Sequence, residues 1–89
     1  MKKQEKDHKF GLKVIQNTTR REILIFLGGG RRSLEDIKEK FNLNDNMANF
    51  HLNMLEDALY TEKKEEEGKI FYFPTLRGEG FLENVEMKK

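Results

Sequence analysis

From Leu12 to Leu59 the apolar residues recur at three- and four-residue steps, the repeat of a helix with one buried face. Beyond Tyr60 the repeat shortens to the alternation of strands. Leu12, Val14 and Ile15 predict a short first helix ending near Asn17, and the polar residues 1–9 ahead of it read as a disordered tail. A second helix opens within Asn17–Glu22, capped by Asn17 or by a Thr19–Glu22 capping box, and its buried stripe is Ile23, Leu24, Phe26 and Leu27. Gly28, Gly29 and Gly30 stop it. Ser33 caps a third helix with Glu35 and Asp36 in its first turn, where the helix dipole favours acids, and with Leu34, Ile37 and Phe41 facing inward. Asn42-Leu43-Asn44 is a tight turn. Asn44 then caps a fourth helix expected to reach about Leu59, with an inner face of Ala48, His51 or Leu52, Leu55, and Ala58 or Leu59. Tyr60–Glu66 and Lys69–Phe73 suit the two strands of a hairpin with an acidic tip, ended by Pro74. Thr75 caps a last helix that presents Leu76, Phe81, Leu82 and Val85.

Two short helices joined by a tight turn, the second polar on its outer face, make a helix-turn-helix, and a hairpin behind them is a wing. The expected fold is therefore mainly α with a small β-hairpin, a winged helix-turn-helix domain over residues 10–87. The 89 residues allow one domain with a modest core, so dimerisation would help stability. A hydrophobic fraction of 36% against 37% charged residues describes a small globule with a heavily charged surface, without a membrane span or secretory signal core. The absence of cysteine excludes disulfides and thiolate metal sites and suits the cytoplasm.

Net charge, at +1, is too small to argue for nucleic acid, but its distribution is uneven. Residues 1–22 carry seven Lys/Arg against three acids, whereas residues 41–62 carry four acids and no Lys or Arg. The predicted fourth helix thus lies in the acidic stretch. Its outer face holds Asn46, Asn49 and Asn53, and asparagine can bond the edge of adenine in two places.

Three stretches resemble the ArsR-type winged helix regulators of bacteria and archaea. The first is Asn17–Leu24, similar to the opening of that family's second helix. The second is Phe41–Asn44 followed by Asn49–Ala58, similar to its turn and recognition helix. The third is Lys69–Phe73 followed by Thr75–Gly78, similar to its second wing strand and the cap of its final helix. The resemblance covers about Leu12 to Val85, and it implies a homodimer on double-stranded DNA that regulates transcription by occupancy.

It further implies that Asp45, Asn46, Asn49, Phe50 and Asn53 face the major groove, and that Leu12, Ile15, Phe81, Leu82 and Val85 form the dimer interface. Since the recognition helix lacks basic residues, phosphate contacts are expected from Arg20, Arg21, Arg31, Arg32, Lys38, Lys63, Lys64 and Lys69. Glu65, Glu66 and Glu67 would repel a phosphate backbone, so the wing is expected to stay out of the minor groove. Leu59 stands where the family usually has glycine, so the helix runs on or the turn differs.

His51 matches the family's histidine and reads as a core or hydrogen-bonding residue, because no partners are spaced for a metal site. Metal sensing is not implied: the last helix offers only Glu79, Glu83 and Glu86. The triple glycine lacks the ending of a phosphate loop, Glu35-Asp36 are helix-start charges, and Phe71-Tyr72-Phe73 are expected to pack rather than to stack bases. No enzyme and no cofactor is expected. The alternatives are a winged helix used for protein contacts in a transcription-related assembly, which the acidic middle favours, and the DNA-binding half of a longer regulator.

Overall fold

The computed structural model describes the backbone of residues 2–87 and the side chains of residues 9–84. In chain order the elements are α1 (Lys2–Gln16), α2 (Thr18–Leu27), β1 (Arg32–Ser33), α3 (Leu34–Phe41), α4 (Asp45–Asp57), β2 (Thr61–Glu66), β3 (Lys69–Pro74) and α5 (Leu76–Met87). This is a winged helix-turn-helix. Among the described residues, no helix is long and apolar enough to cross a membrane.

The caps are those that local chemistry dictates. The side chains of Asn17, Ser33 and Asn44 each accept a hydrogen bond from the backbone N–H three residues on, at 3.0, 3.0 and 2.8 Å. Asn17 is therefore the cap of α2, and the Thr19–Glu22 alternative is not needed. Thr75 Oγ1 accepts from the N–H of Gly78 and donates to the carbonyl of Leu59, which ties the start of α5 to the end of α4.

Leu59 adopts φ +66°, the left-handed conformation that a glycine would take without cost. The N–H of Tyr60 donates to the carbonyl of Leu55, and the N–H of Leu59 to that of Glu56, so the glycine-type stop forms without glycine. Neither expected outcome holds there: α4 ends at Asp57 and the turn is the one a glycine would make. At the hairpin, Glu67 and Gly68 both have positive φ, the two-residue turn that matches the twist of the strands it joins.

Two features exceed the sequence pattern. The hairpin is part of a three-stranded sheet, because Arg32 and Ser33 pair with Tyr72 and Phe71 of β3. A two-residue strand is too short to show alternation. In addition, α1 begins at Lys2, so helix occupies residues expected as a tail; lysine, glutamate and glutamine are strong helix formers even without an apolar face.

The core is one cluster joining Val14 and Ile15 of α1, Ile23, Leu24 and Leu27 of α2, Ile37 of α3, Leu52 and Leu55 of α4, and Tyr72 of β3. All five helices and β3 thus pack on the same apolar centre, and α4 is held against it on one side only.

Candidate nucleic-acid interface

The α3–turn–α4 unit is set by two asparagines with different tasks. Asn42 ends α3 in the left-handed conformation, which asparagine tolerates, and Asn44 starts α4 three residues after Phe41. Along α4, Ala48, His51, Leu52 and Leu55 are buried, so the opposite face must point outward. That face carries Asp45, Asn46, Asn49, Phe50 and Asn53, all exposed, with Met47 at its flank. Phe50 leaves 53% of its surface open and Met47 leaves 43%.

Behind this face lies a buried guanidinium. Arg20 of α2 was expected at the phosphate backbone, but it is only 7% exposed and cannot serve there. Its Nε donates to the carbonyl of Val14 at 2.9 Å, and its Nη1 lies 3.2 Å from Nδ1 of His51. Donation from arginine, which has no acceptor, leaves Nδ1 of His51 unprotonated. Burial first, and then the charge of Arg20, hold the His51 pKa below its ordinary value, which keeps the ring neutral. One side chain therefore ties α1, α2 and α4 together. The Phe50 ring sits against this pair, 5.4 Å from the His51 ring and 5.8 Å from the Arg20 guanidinium, centre to centre.

The other expected phosphate contacts are largely engaged within the molecule. Arg21 donates to the carbonyls of Ile15 and Gln16, satisfying the last turn of α1. Arg31 pairs with Glu66 at 2.9 Å and lies over the Phe71 ring, and this contact holds the Glu66 carboxyl below its usual pKa. Arg32 stacks on Phe26 and donates to its carbonyl. Lys38 binds Asp45, a hydrogen bond that raises the lysine pKa and occupies the first carboxylate of the outward face. Lys63 lies 3.9 Å from Glu56, and Lys64 lies 3.5 Å from Glu66. Lys69 is exposed and makes no ion pair among the described residues. Apart from Lys69, the basic residues on and beside the wing are thus paired within the molecule.

The residues implied as a dimer interface are placed unequally. Leu12 is 47% exposed on α1, Ile15 is almost buried, and Phe81 and Leu82 pack partly into the core. The Val85 side chain lies outside the described residues. Ile15 and Phe81 line a shallow groove between α1, α2 and α5 together with Ile25, which is 43% exposed. Ile25 was missed in sequence because it lies off the Ile23–Leu24–Leu27 stripe, and an apolar residue off its stripe was the available signal.

No family model and no curated protein matches the chain. Solved structures do match its fold. HlyU from Vibrio cholerae aligns with a TM-score of 0.83 at 20% identity, covering 98% of this chain and 96% of that one. The homodimeric winged helix-turn-helix DNA-binding domain of a "possible ArsR-family transcriptional regulator" from Mycobacterium bovis aligns with a TM-score of 0.84 at 22% identity, covering 92% and 77%. The transcriptional repressor BigR from Xylella fastidiosa aligns with a TM-score of 0.78 at 17% identity, covering 98% and 90%.

Proposed function

We propose that the chain is an ArsR-like, homodimeric, sequence-specific regulator of transcription that binds double-stranded DNA through α4. The observation that carries this reading is the outward face of α4. Asn46, Asn49, Phe50 and Asn53 stand exposed on a helix whose opposite face is locked to the core and to Arg20. Rigid placement of base-reading amides is what major-groove recognition requires. The likeness to a homodimeric DNA-binding domain and to a transcriptional repressor supports the same reading.

The dimer would form through α1 and α5, with Leu12, Ile15, Phe81, Leu82 and Val85, and the exposed Ile25 extends that apolar surface onto α2. Two copies of α4 would then enter successive major grooves of a near-palindromic site. The protein would act in the cytoplasm by occupancy rather than by catalysis and without a cofactor.

The pairing of Arg31, Lys38, Lys63 and Lys64 with carboxylates favours one rival, a winged helix that contacts protein instead. Duplex binding titrated against salt separates the two. A basic side chain already neutralised by its own carboxylate releases few counterions, so binding should weaken with salt, but shallowly. The expected log–log slope is on the order of −4 for a dimer, at about −0.9 per phosphate contact. Absence of binding to any duplex at low ionic strength would reject DNA and leave the protein-contact reading.

A further inference from the structure

The chemistry of α4 says more than that it meets DNA. In the major groove guanine offers two acceptors, best met by arginine or lysine, whereas adenine offers an acceptor beside a donor, best met by asparagine or glutamine. Cytosine offers a donor, best met by a free carboxylate, and thymine offers a methyl group, met by apolar side chains. From Asp45 to Asp57 the helix holds no arginine or lysine, and its one histidine is buried with Nδ1 turned to Arg20. Asp45 is engaged by Lys38, and Asp57 lies a turn beyond Asn53, away from the amino-terminal part of the helix that reaches base edges.

What remains exposed is Asn46, Asn49 and Asn53, interleaved with Phe50 and flanked by Met47. Large apolar side chains left open on a helix that otherwise buries its apolar residues want a partner. Phe50 is also backed by the His51 ring and the Arg20 guanidinium, which hold it in place.

We propose that α4 selects A·T base pairs, with Asn46, Asn49 and Asn53 bonding adenine edges and Phe50 and Met47 covering thymine methyl groups. The asparagines span seven residues of helix rise, about 10 Å, which matches about three base pairs in each half-site. This inference rests on the DNA-binding reading above and specifies its ligand.

Selection from a pool of random duplexes tests it. The enriched half-sites should carry A·T pairs at three neighbouring positions. Within an enriched site, replacing those thymines by uracil removes only the methyl groups and should weaken binding of the native chain about fourfold per methyl contacted. The same replacement should leave binding by Phe50→Ala unchanged at the Phe50-contacted position. Replacing the adenines by 7-deazaadenine removes the N7 acceptor and should cost about tenfold at an asparagine-read position. G·C pairs at the selected positions, or a native chain indifferent to both replacements, would overturn this inference while leaving DNA binding intact. A pool from which nothing is enriched would overturn both.

Discussion

Gly78→Ala is expected to lower the melting temperature by about 15 °C, the largest loss of any glycine-to-alanine change among the described residues. A Cβ at residue 78 would overlap the carbonyl oxygen of Tyr60, and it would press on Pro74 and Leu24 at 3.1 and 3.3 Å. The first obstacle is backbone, which has no rotamer to yield. That carbonyl also accepts the N–H of Thr75, the residue whose hydroxyl caps α5, so displacing it loosens the start of the last helix as well. Overpacking of this kind costs about 3 kcal/mol where nothing can move aside. Gly80, two residues on, meets nothing within 4 Å among the described residues, so Gly80→Ala serves as the control and should keep or slightly raise stability. Thermal melting of the two variants gives the comparison, and equal melting temperatures would contradict this packing.

Arg20→Met should cost about 2–4 kcal/mol in denaturant unfolding, because two buried acceptors lose a charged donor at once. Methionine keeps the apolar stem of arginine but supplies nothing to the Val14 carbonyl or to His51. The pH profile adds a signature that lost packing alone would not give. His51 has its pKa depressed by burial and, secondarily, by the charge of Arg20. Below about pH 6.5 the unfolded chain therefore takes up a proton that the folded chain resists, and native stability falls as pH falls toward the folded pKa. With Arg20 removed, the electrostatic part of that resistance disappears, so Arg20→Met should lose less stability between pH 7.5 and pH 5.5 than the native chain does. Parallel pH profiles would show that Arg20 does not act on His51.

These residues also show where the sequence was readable and where it was not. The caps at Asn17, Ser33, Asn44 and Thr75 were legible because capping is local: a hydroxyl or amide at the right offset suffices. The inward faces of α2, α3 and α4 were legible from their spacing, with Phe26, Leu34 and Phe41 half-buried against the core. Gly78 was not, since a glycine in a helix reads only as a weak helix former until the strand-start backbone lying against it is known. Arg20 was assigned to phosphate because the recognition helix has no basic residue and the flanking arginines had to supply those contacts. A positional signal was nevertheless present: Arg20 precedes Ile23, Leu24 and Leu27 by three, four and seven residues, which extends the buried stripe by one turn. The carboxylate partners of Arg31, Lys38, Lys63 and Lys64 could not be read, because each pair except Lys64–Glu66 joins segments that only the fold brings together. Leu59 is the converse case. Leucine in place of the family's glycine read as a helix that runs on or a turn that differs, yet the glycine-type turn forms with leucine at a strain of about 1–2 kcal/mol.

In the proposed complex the asparagine face of α4 meets the major groove. This contact is tested most directly by following the side-chain amide signals of a nitrogen-labelled chain as an A·T-rich duplex is added at low ionic strength. The side-chain amides of Asn46, Asn49 and Asn53 should shift most, backbone amides across Asp45–Asn53 should follow, and the wing tip at Glu65–Gly68 should move little. Shifts confined to the wing or to α5, with the α4 asparagines unchanged at saturating duplex, would contradict it.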